Sequence, residues 1–402
     1  MTVDDKVSAS NNEFEIGWRV LVGGFLGIGF GLSSLYFYSF GIFIKPLSEE
    51  FGWSRGQVSL GSTLGTVASV IGSIVVGRLV DKFNSVHIGL GSLLCLSLGF
   101  LLLGTITSSY LSYVVIILAI AFFGIGSTGF AFTRPIISKF ERHRGIALGI
   151  VLSGAGLGAI LVPRIMTPYV AENGWRAGYL ALGATIIVVA PLIWIVFRGQ
   201  VDDVTTKREG GSFMPIVSQR AFYVIGAIFF LASISIIGTI VHFIPLLTDQ
   251  GLSPSEAGAT ASLIGFTAIA GRLLAGFLID RFKAGLVAGG LFLLAAAGLM
   301  TLALGGGQFL VLGALIAGLA IGAEIDLLTY LTGKYFPQRM FGEAYGLLFA
   351  VFSVGAALGP VLYGYLFDIN GNYVLAMTIG ASLLAIAAVP AFALDKLQPG
   401  EF

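Results

Sequence analysis

Twelve apolar runs, each close to twenty residues or longer, occupy this chain from end to end, and no other feature limits its fold so strongly. They cover about 18–44, 57–80, 87–108, 111–138, 145–168, 177–197, 219–247, 255–279, 284–304, 308–333, 342–366 and 372–393. A helix rises about 1.5 Å per residue, so roughly twenty residues cross a hydrocarbon layer of about 30 Å. Inside lipid the backbone must satisfy its own hydrogen bonds, and runs of this length do so as helices. The composition agrees. The chain is 56% hydrophobic and 11% charged, where a water-soluble domain carries roughly 25% charged residues. Its 57 glycines suit close helix packing. The expected fold is an all-α membrane protein of twelve transmembrane helices, with the lipid bilayer as its surroundings.

Several function classes fall away at this stage. A net charge of +1 implies no nucleic-acid partner. The single Cys95 excludes an internal disulfide, and His87, His143 and His242 are too scattered to form a metal cluster. No phosphate-cradling loop suggests an ATP-driven pump, and no catalytic constellation suggests an enzyme. No cofactor is expected. The first 15 residues are polar, lack the apolar core of a signal peptide and read as a disordered tail.

Basic residues favour one set of loops. Arg78, Lys82, Lys139, Arg142, Arg144, Arg198, Lys207, Arg208, Arg220, Arg281, Lys283, Lys334 and Arg339 fall on the side of the termini, against Lys45, Arg55, Arg164 and Arg176 on the other. The positive-inside rule then puts both termini in the cytoplasm of a cell membrane. The longest polar stretch between runs suggests five segments: a tail at 1–16, a six-helix half at 17–198, a linker at 199–218, a second half at 219–394 and a tail at 395–402.

The halves repeat each other. Gly52 and Gly251 lie 199 residues apart, as do Asp81 and Asp280, and the segments between them align without a gap. Gly145, Ala147, Gly149, Gly158 and Pro163 match Gly342, Ala344, Gly346, Gly355 and Pro360 at an offset of 197. Six spans are therefore duplicated in parallel. Such repeats bind substrate near the bilayer midplane.

Gly77-Arg78-Leu79-Val80-Asp81-Lys82 and Gly276-Phe277-Leu278-Ile279-Asp280-Arg281, following spans two and eight, resemble a signature of the major facilitator superfamily. The usual Gly-Arg-Arg continuation is Asn84-Ser85-Val86 in the first copy. The resemblance implies two pseudo-symmetric six-helix bundles, transport by alternating access, and a cytoplasmic gate built from Asp81, Lys82, Arg144, Asp280 and Arg281. Phe51-Gly52-Trp53-Ser54-Arg55, Asn173-Gly174-Trp175-Arg176 and Gly271-Arg272-Leu273-Leu274 are similar to the monocarboxylate and oxalate/formate porter branch. That branch implies a carboxylate-binding Arg in span eight, here Arg272. Some dianion carriers add a Lys in span eleven, where this chain has Val351. Gly154, Gly156 and Gly158 in span five lack the Gly-Pro-x-x-Gly-Gly pattern of drug/proton antiporters.

The residues themselves support an anion site. Arg272 lies eight residues before Asp280, roughly 12 Å into the bilayer. A guanidinium at that depth costs about 2.5–3.5 kcal/mol on insertion scales, and it cannot shed its proton. Glu324 and Asp326 share its depth in span ten and are candidates for proton coupling, or for a static ion pair with Arg272. Tyr36, Phe40 and Tyr330 are candidate substrate contacts. Arg134, before Pro135 where a kink is expected, and His242, toward the outer side, are candidates for a second anion contact or a gate. The expected function is movement of a small organic anion with a proton, by a monomer. The alternatives are a proton-driven exporter of amphipathic or cationic compounds, and a sensor that keeps the carrier fold without net flux.

Overall fold

Every regular element among the described residues is helical. The computed structural model describes residues 3–140, 142–199, 214–305, 308–337 and 340–396. In the first half of the chain, α1 (Val3–Gly29) leads through a π-helical turn, Leu32–Tyr36, into α2 (Phe37–Phe51). Then come α3 (Arg55–Lys82), α4 (Ser85–Ile106), α5 (Tyr110–Gly124), the short α6 (Gly129–Phe132) and α7 (Arg134–Lys139), and α8 (Arg144–Phe197). The second half holds α9 (Met214–Val217), α10 (Arg220–Asp249), α11 (Pro254–Ile279), α12 (Ala284–Leu304), α13 (Gln308–Ile321), α14 (Glu324–Tyr335), α15 (Phe341–Asn370) and α16 (Val374–Ala393). Among the described residues, 11 helical stretches are long and apolar enough to cross a membrane. The longest, α8, is two helices joined at Gly174, whose φ of 84° no helix contains, so the spans number twelve.

The helix begins at Val3, so the polar residues read above as a disordered tail continue the first helix outward. Residues 200–213, most of the expected linker, and 397–402 of the final tail lie outside the described residues.

The duplication is visible in the turns. Gly52 (φ 68°) and Gly251 (φ 92°) end one helix each in a left-handed conformation. Glycine, which has no Cβ, reaches it at no steric cost. Two residues later a capping box starts the next helix. Ser54 N–H donates to Gln57 Oε1 at 2.9 Å, and Gln57 N–H donates to Ser54 Oγ at 3.2 Å. Ser253 and Glu256 make the same reciprocal pair at 2.9 and 3.3 Å. Gly174 and Gly371 (φ 70°) form a second matched pair, 197 residues apart. The side-chain amides just before them, Asn173 and Asn370, donate to the Tyr169 and Leu366 carbonyls at 3.0 and 2.8 Å.

The described contacts gather into two units, Met1–Phe40 with Leu64–Lys207, and Gly41–Thr63 with Arg208–Phe402. In the first unit α8 packs on α1 and α4; in the second α10 packs on α15, and α12 on α16 and α13. Large apolar side chains such as Ile71, Ile74, Leu98, Val188 and Val389 stay exposed on the helices, as surfaces facing lipid would.

Two spans are interrupted at matching places. In span four α5 ends at Gly124, and in span ten α13 ends at Ile321, 197 residues on. The first break passes through a 3-10 turn, Ile125–Ser127, and a second discontinuity places Pro135 in the first turn of α7. Pro135 therefore starts a helix where a kink was expected. In the second break Gly322 and Ala323 separate α13 from α14. This break lies where α11 and α13 touch backbone to backbone. A Cβ on Gly322 would sit 1.8 Å from the Ala268 carbonyl oxygen, and one on Gly271 would sit 1.8 Å from that of Leu319.

A polar cluster knits the second unit at the end of α10 farthest from its start. The Arg55 guanidinium pairs with both carboxylate oxygens of Asp249. It also donates to Tyr373 Oη at 2.9 Å and stacks 3.7 Å above the Phe367 ring. Lys45 Nζ adds a contact to Asp249 at 3.3 Å. Asp368 accepts the Arg55 and Gly56 backbone N–H groups, each at 2.8 Å, and so caps the N-terminus of α3. His242 is fully buried behind them. Its Nε2 must donate to the Pro360 carbonyl at 2.8 Å, so in the neutral ring Nδ1 accepts from Tyr373 Oη, also 2.8 Å away.

Two outcomes follow for stability. Arg55→Gln leaves Asp249 without its guanidinium and should cost on the order of 3 kcal/mol. Thermal unfolding of the purified protein should shift down by several degrees, and Asp249→Asn in the same background should recover part of the loss. Gly322→Val should force α11 from α13 and yield little monodisperse protein on size exclusion. Gly91→Ala, with nothing within 4 Å of the added carbon, should behave as wild type.

Candidate functional site

The interruption of span ten sets the site. Because α14 starts afresh after Ala323, Glu324 and Asp326 fall in its first turn, where the helix dipole favours negative charge. The same tight contact that needs Gly271 and Gly322 brings the next residue of α11, Arg272, level with that turn. Arg272 Nε lies 2.7 Å from Asp326 Oδ2. Both side chains remain accessible, at 50% and 44%. Glu324 turns the other way and is 2% exposed, with no hydrogen-bond partner for Oε1 among the described residues. The two acids, two residues apart, thus occupy different environments: one on the surface of its unit facing a guanidinium, one in the core.

Around the pair, Tyr330 lies one turn beyond Asp326 and is 43% exposed. The Tyr345 hydroxyl, from α15, meets that of Thr329 and lies within electrostatic reach of Asp326. Tyr345 and Thr329 carried no signal in the sequence that set them apart from other span residues. At the matching offsets the first half has Ser73 for Arg272, Ser127 for Glu324 and Gly129 for Asp326. The charged groups belong to one copy only.

The remaining candidates lie elsewhere. Tyr36 ends the π-helical turn, with its ring 5.7 Å from that of Phe40 in an edge-to-face contact. Its buried hydroxyl has no hydrogen-bond partner among the described residues. Phe40 is itself buried. Arg134 closes on the end of α3: it donates to the Val80 carbonyl at 2.8 Å and pairs with Asp81. Arg144 donates to the Phe140 and Ile137 carbonyls at 3.1 and 2.9 Å, at the end of α7. Lys82 is exposed, as are Asp280 and Arg281, the latter stacked on Phe277. His242 sits in the Arg55 cluster, engaged through both ring nitrogens. The sequence marked Arg55 only through its motif, since its partners Asp249, Asp368 and Tyr373 are remote along the chain.

Comparison with known proteins agrees with this architecture. The bovine (Bos taurus) monocarboxylate transporter 13 is 26% identical over 392 residues, covering 93% of this chain and 88% of that one. The 3-(3-hydroxy-phenyl)propionate transporter of Escherichia coli (strain K12) is 23% identical over 380 residues, covering 89% and 91%. Among solved structures, an inward-facing, unoccupied bacterial homologue of the human lysosomal transporter Spinster superposes with a TM-score of 0.74. It shares 17% identity over 94% of this chain and 96% of that one, a likeness of fold. The family model of the Major Facilitator Superfamily matches residues 26–360 and 223–401. With its twelve spans and duplicated halves, the chain is a multi-pass membrane transporter and belongs to the Major Facilitator Superfamily.

Proposed function

We propose that this transporter moves a small organic anion, a monocarboxylate, together with a proton, by alternating access of its two six-span halves. The observation that carries the reading is the half-exposed Arg272–Asp326 pair in the middle of spans eight and ten. Charges at that depth are retained where they face water or a solute and not hydrocarbon. A guanidinium held by a single carboxylate has donors to spare, and a second carboxylate can take up two parallel N–H bonds. Arg272 receives the substrate carboxylate, and Asp326 is the group that the substrate joins or displaces. Glu324, buried with one free oxygen, accepts the proton. Tyr330 and Tyr36 shape the path. The names of the two relatives, one a monocarboxylate transporter and one a 3-(3-hydroxy-phenyl)propionate transporter, support a carboxylate as cargo.

The gate on the side of the basic loops is carried by Asp81 with Arg134, and by Arg144 on the α7 carbonyls. The charge pattern supports a cell inner membrane with both termini in the cytoplasm. Residues 17–198 and 219–394 act as the two moving halves, joined by 199–218, and the transporter works as a monomer.

Proteoliposome uptake driven by an inward proton gradient tests the site. Arg272→Gln should lower carboxylate uptake at least about 100-fold with the protein still monodisperse. Uptake at the wild-type rate would reject the assignment. Glu324→Gln should leave substrate exchange intact while removing the dependence on the gradient, and unchanged dependence in both Glu324→Gln and Asp326→Asn would remove the acids as coupling groups. Displacement of bound substrate by organic cations instead of carboxylates would favour the exporter of cationic compounds.

A further inference from the structure

Three polar residues of α3, Arg55, Ser59 and Thr63, lie four apart in sequence and so share one face of that helix. Each meets a residue of the chain's second half. Arg55 holds Asp249 and Tyr373, Ser59 Oγ lies 3.0 Å from His242 Nε2, and Thr63 donates to the Ala357 carbonyl. Backbone meets backbone beside them: a Cβ on Gly364 would sit 2.8 Å from the Arg55 carbonyl oxygen. By such contacts Gly41–Thr63 belongs to the second unit, while the chain up to Phe40 and from Leu64 on belongs to the first. A stretch that leaves one unit along the chain and is held in the second by hydrogen bonds has the build of a latch.

His242 sits at its centre, fully buried. The charged and titratable groups of the cluster are Arg55 of α3, Lys45 of α2, Asp249 of α10, Tyr363 and Asp368 of α15, and Tyr373 just before α16. Tyr373 Oη lies 2.8 Å from His242 Nδ1 and accepts from Arg55 at 2.9 Å. With a neutral ring this closes, because the phenol donates to Nδ1 and accepts from the guanidinium. A second proton on the ring turns Nδ1 into a donor. Oη would then face two donors, its own proton would lose its acceptor, and two cations would flank one oxygen atom. The carboxylates do not relieve this. Asp249 is already shared by Arg55 and Lys45, and Asp368 is spent on the Arg55 and Gly56 backbone N–H groups. Nor does packing ask for an imidazole here. At the offset of 199 the first half has Phe43, itself buried.

From this geometry we infer that His242 is a proton site separate from the acids of span ten, and that it works the latch. Residues 41–63 dock only while the ring is neutral, and a proton on the ring holds them released. The role given to Arg272 is not needed for this. An imidazole freed into water takes its proton at about pH 6.5. The docked form has no place for that proton. Docking is therefore strongest above that pH and is lost as the pH falls through it, by up to about tenfold per unit. The ring stays at its own end of α10, so its proton gates the carrier and is not cargo.

Double electron–electron resonance on the full-length protein in lipid nanodiscs tests this. Spin labels go on Glu49→Cys of α2 and Ile369→Cys of α15, both exposed, in a Cys95→Ser background. At about pH 8 one short distance should dominate, and by about pH 5.5 a longer one should have grown at least about fivefold. His242→Gln can donate to Pro360 and accept from Tyr373 without titrating, and it should keep the short distance throughout. Arg55→Gln should show the longer distance already at about pH 8. A wild-type distribution that does not move with pH would overturn the inference, and that arm needs no change within the cluster. So would a full pH response in His242→Gln, or an Arg55→Gln variant that keeps the short distance at every pH. Glu324→Gln should respond as wild type does. A response lost in that variant would place the proton on Glu324 and sink the latch while leaving the anion site standing.

Discussion

Lipid offers a peptide group nothing to bond with, and the architecture of this transporter follows from that. Twelve segments close their own backbone hydrogen bonds as helices, and each departure from the helix needs a local replacement. The first half shows the replacement complete. Ser127, at the break in span four, donates to the Gly124 carbonyl at 2.6 Å and accepts the Leu32 N–H at 2.9 Å, so one buried hydroxyl serves the irregular turns of spans one and four together. In the second half Glu324 occupies the equivalent place, and one of its oxygens has no partner among the described residues. The same structural gap is filled by a satisfied hydroxyl in one copy and by a group with capacity to spare in the other.

That comparison separates scaffold from chemistry without reference to any other protein. Left-handed glycines, capping boxes and carbonyl-capping asparagines recur in both copies, because each half must turn and restart its helices in the same way. Close contacts recur as well. The Ser34 hydroxyl lies 2.4 Å from where a Cβ on Gly158 would be, and the Ser233 hydroxyl 2.1 Å from where one on Gly355 would be. Arg272, Asp326 and Glu324 do not recur. Nor do Arg55 and His242, whose counterparts are Pro254 and Phe43.

Much of this was legible in the sequence, for definite reasons. The spans were readable because lipid leaves no alternative to helix over twenty apolar residues. The duplication was readable because turns need particular residues at particular spacings, as at Gly52 and Gly251. Arg272 announced itself because a permanent charge among apolar neighbours has few explanations. Other features depended on distances that spacing does not encode. Runs 111–138 and 308–333 look continuous, yet both contain a break, since an apolar residue fits a helix and a turn about equally well there. The partners of Arg55 lie 194, 313 and 318 residues away. The polar first residues signalled a tail, but polarity reports contact with water and does not prevent a helix from extending into it.

The Arg272–Asp326 pair carries no net charge. If an anion joins it only when a proton joins Glu324 or Asp326, loading leaves the charge of the site unchanged. The cycle would then move no current, and the electrical potential across the membrane would neither drive nor oppose it. Accumulation would be set by the difference in acidity alone, so a cell could take up or release such an acid without disturbing its membrane voltage.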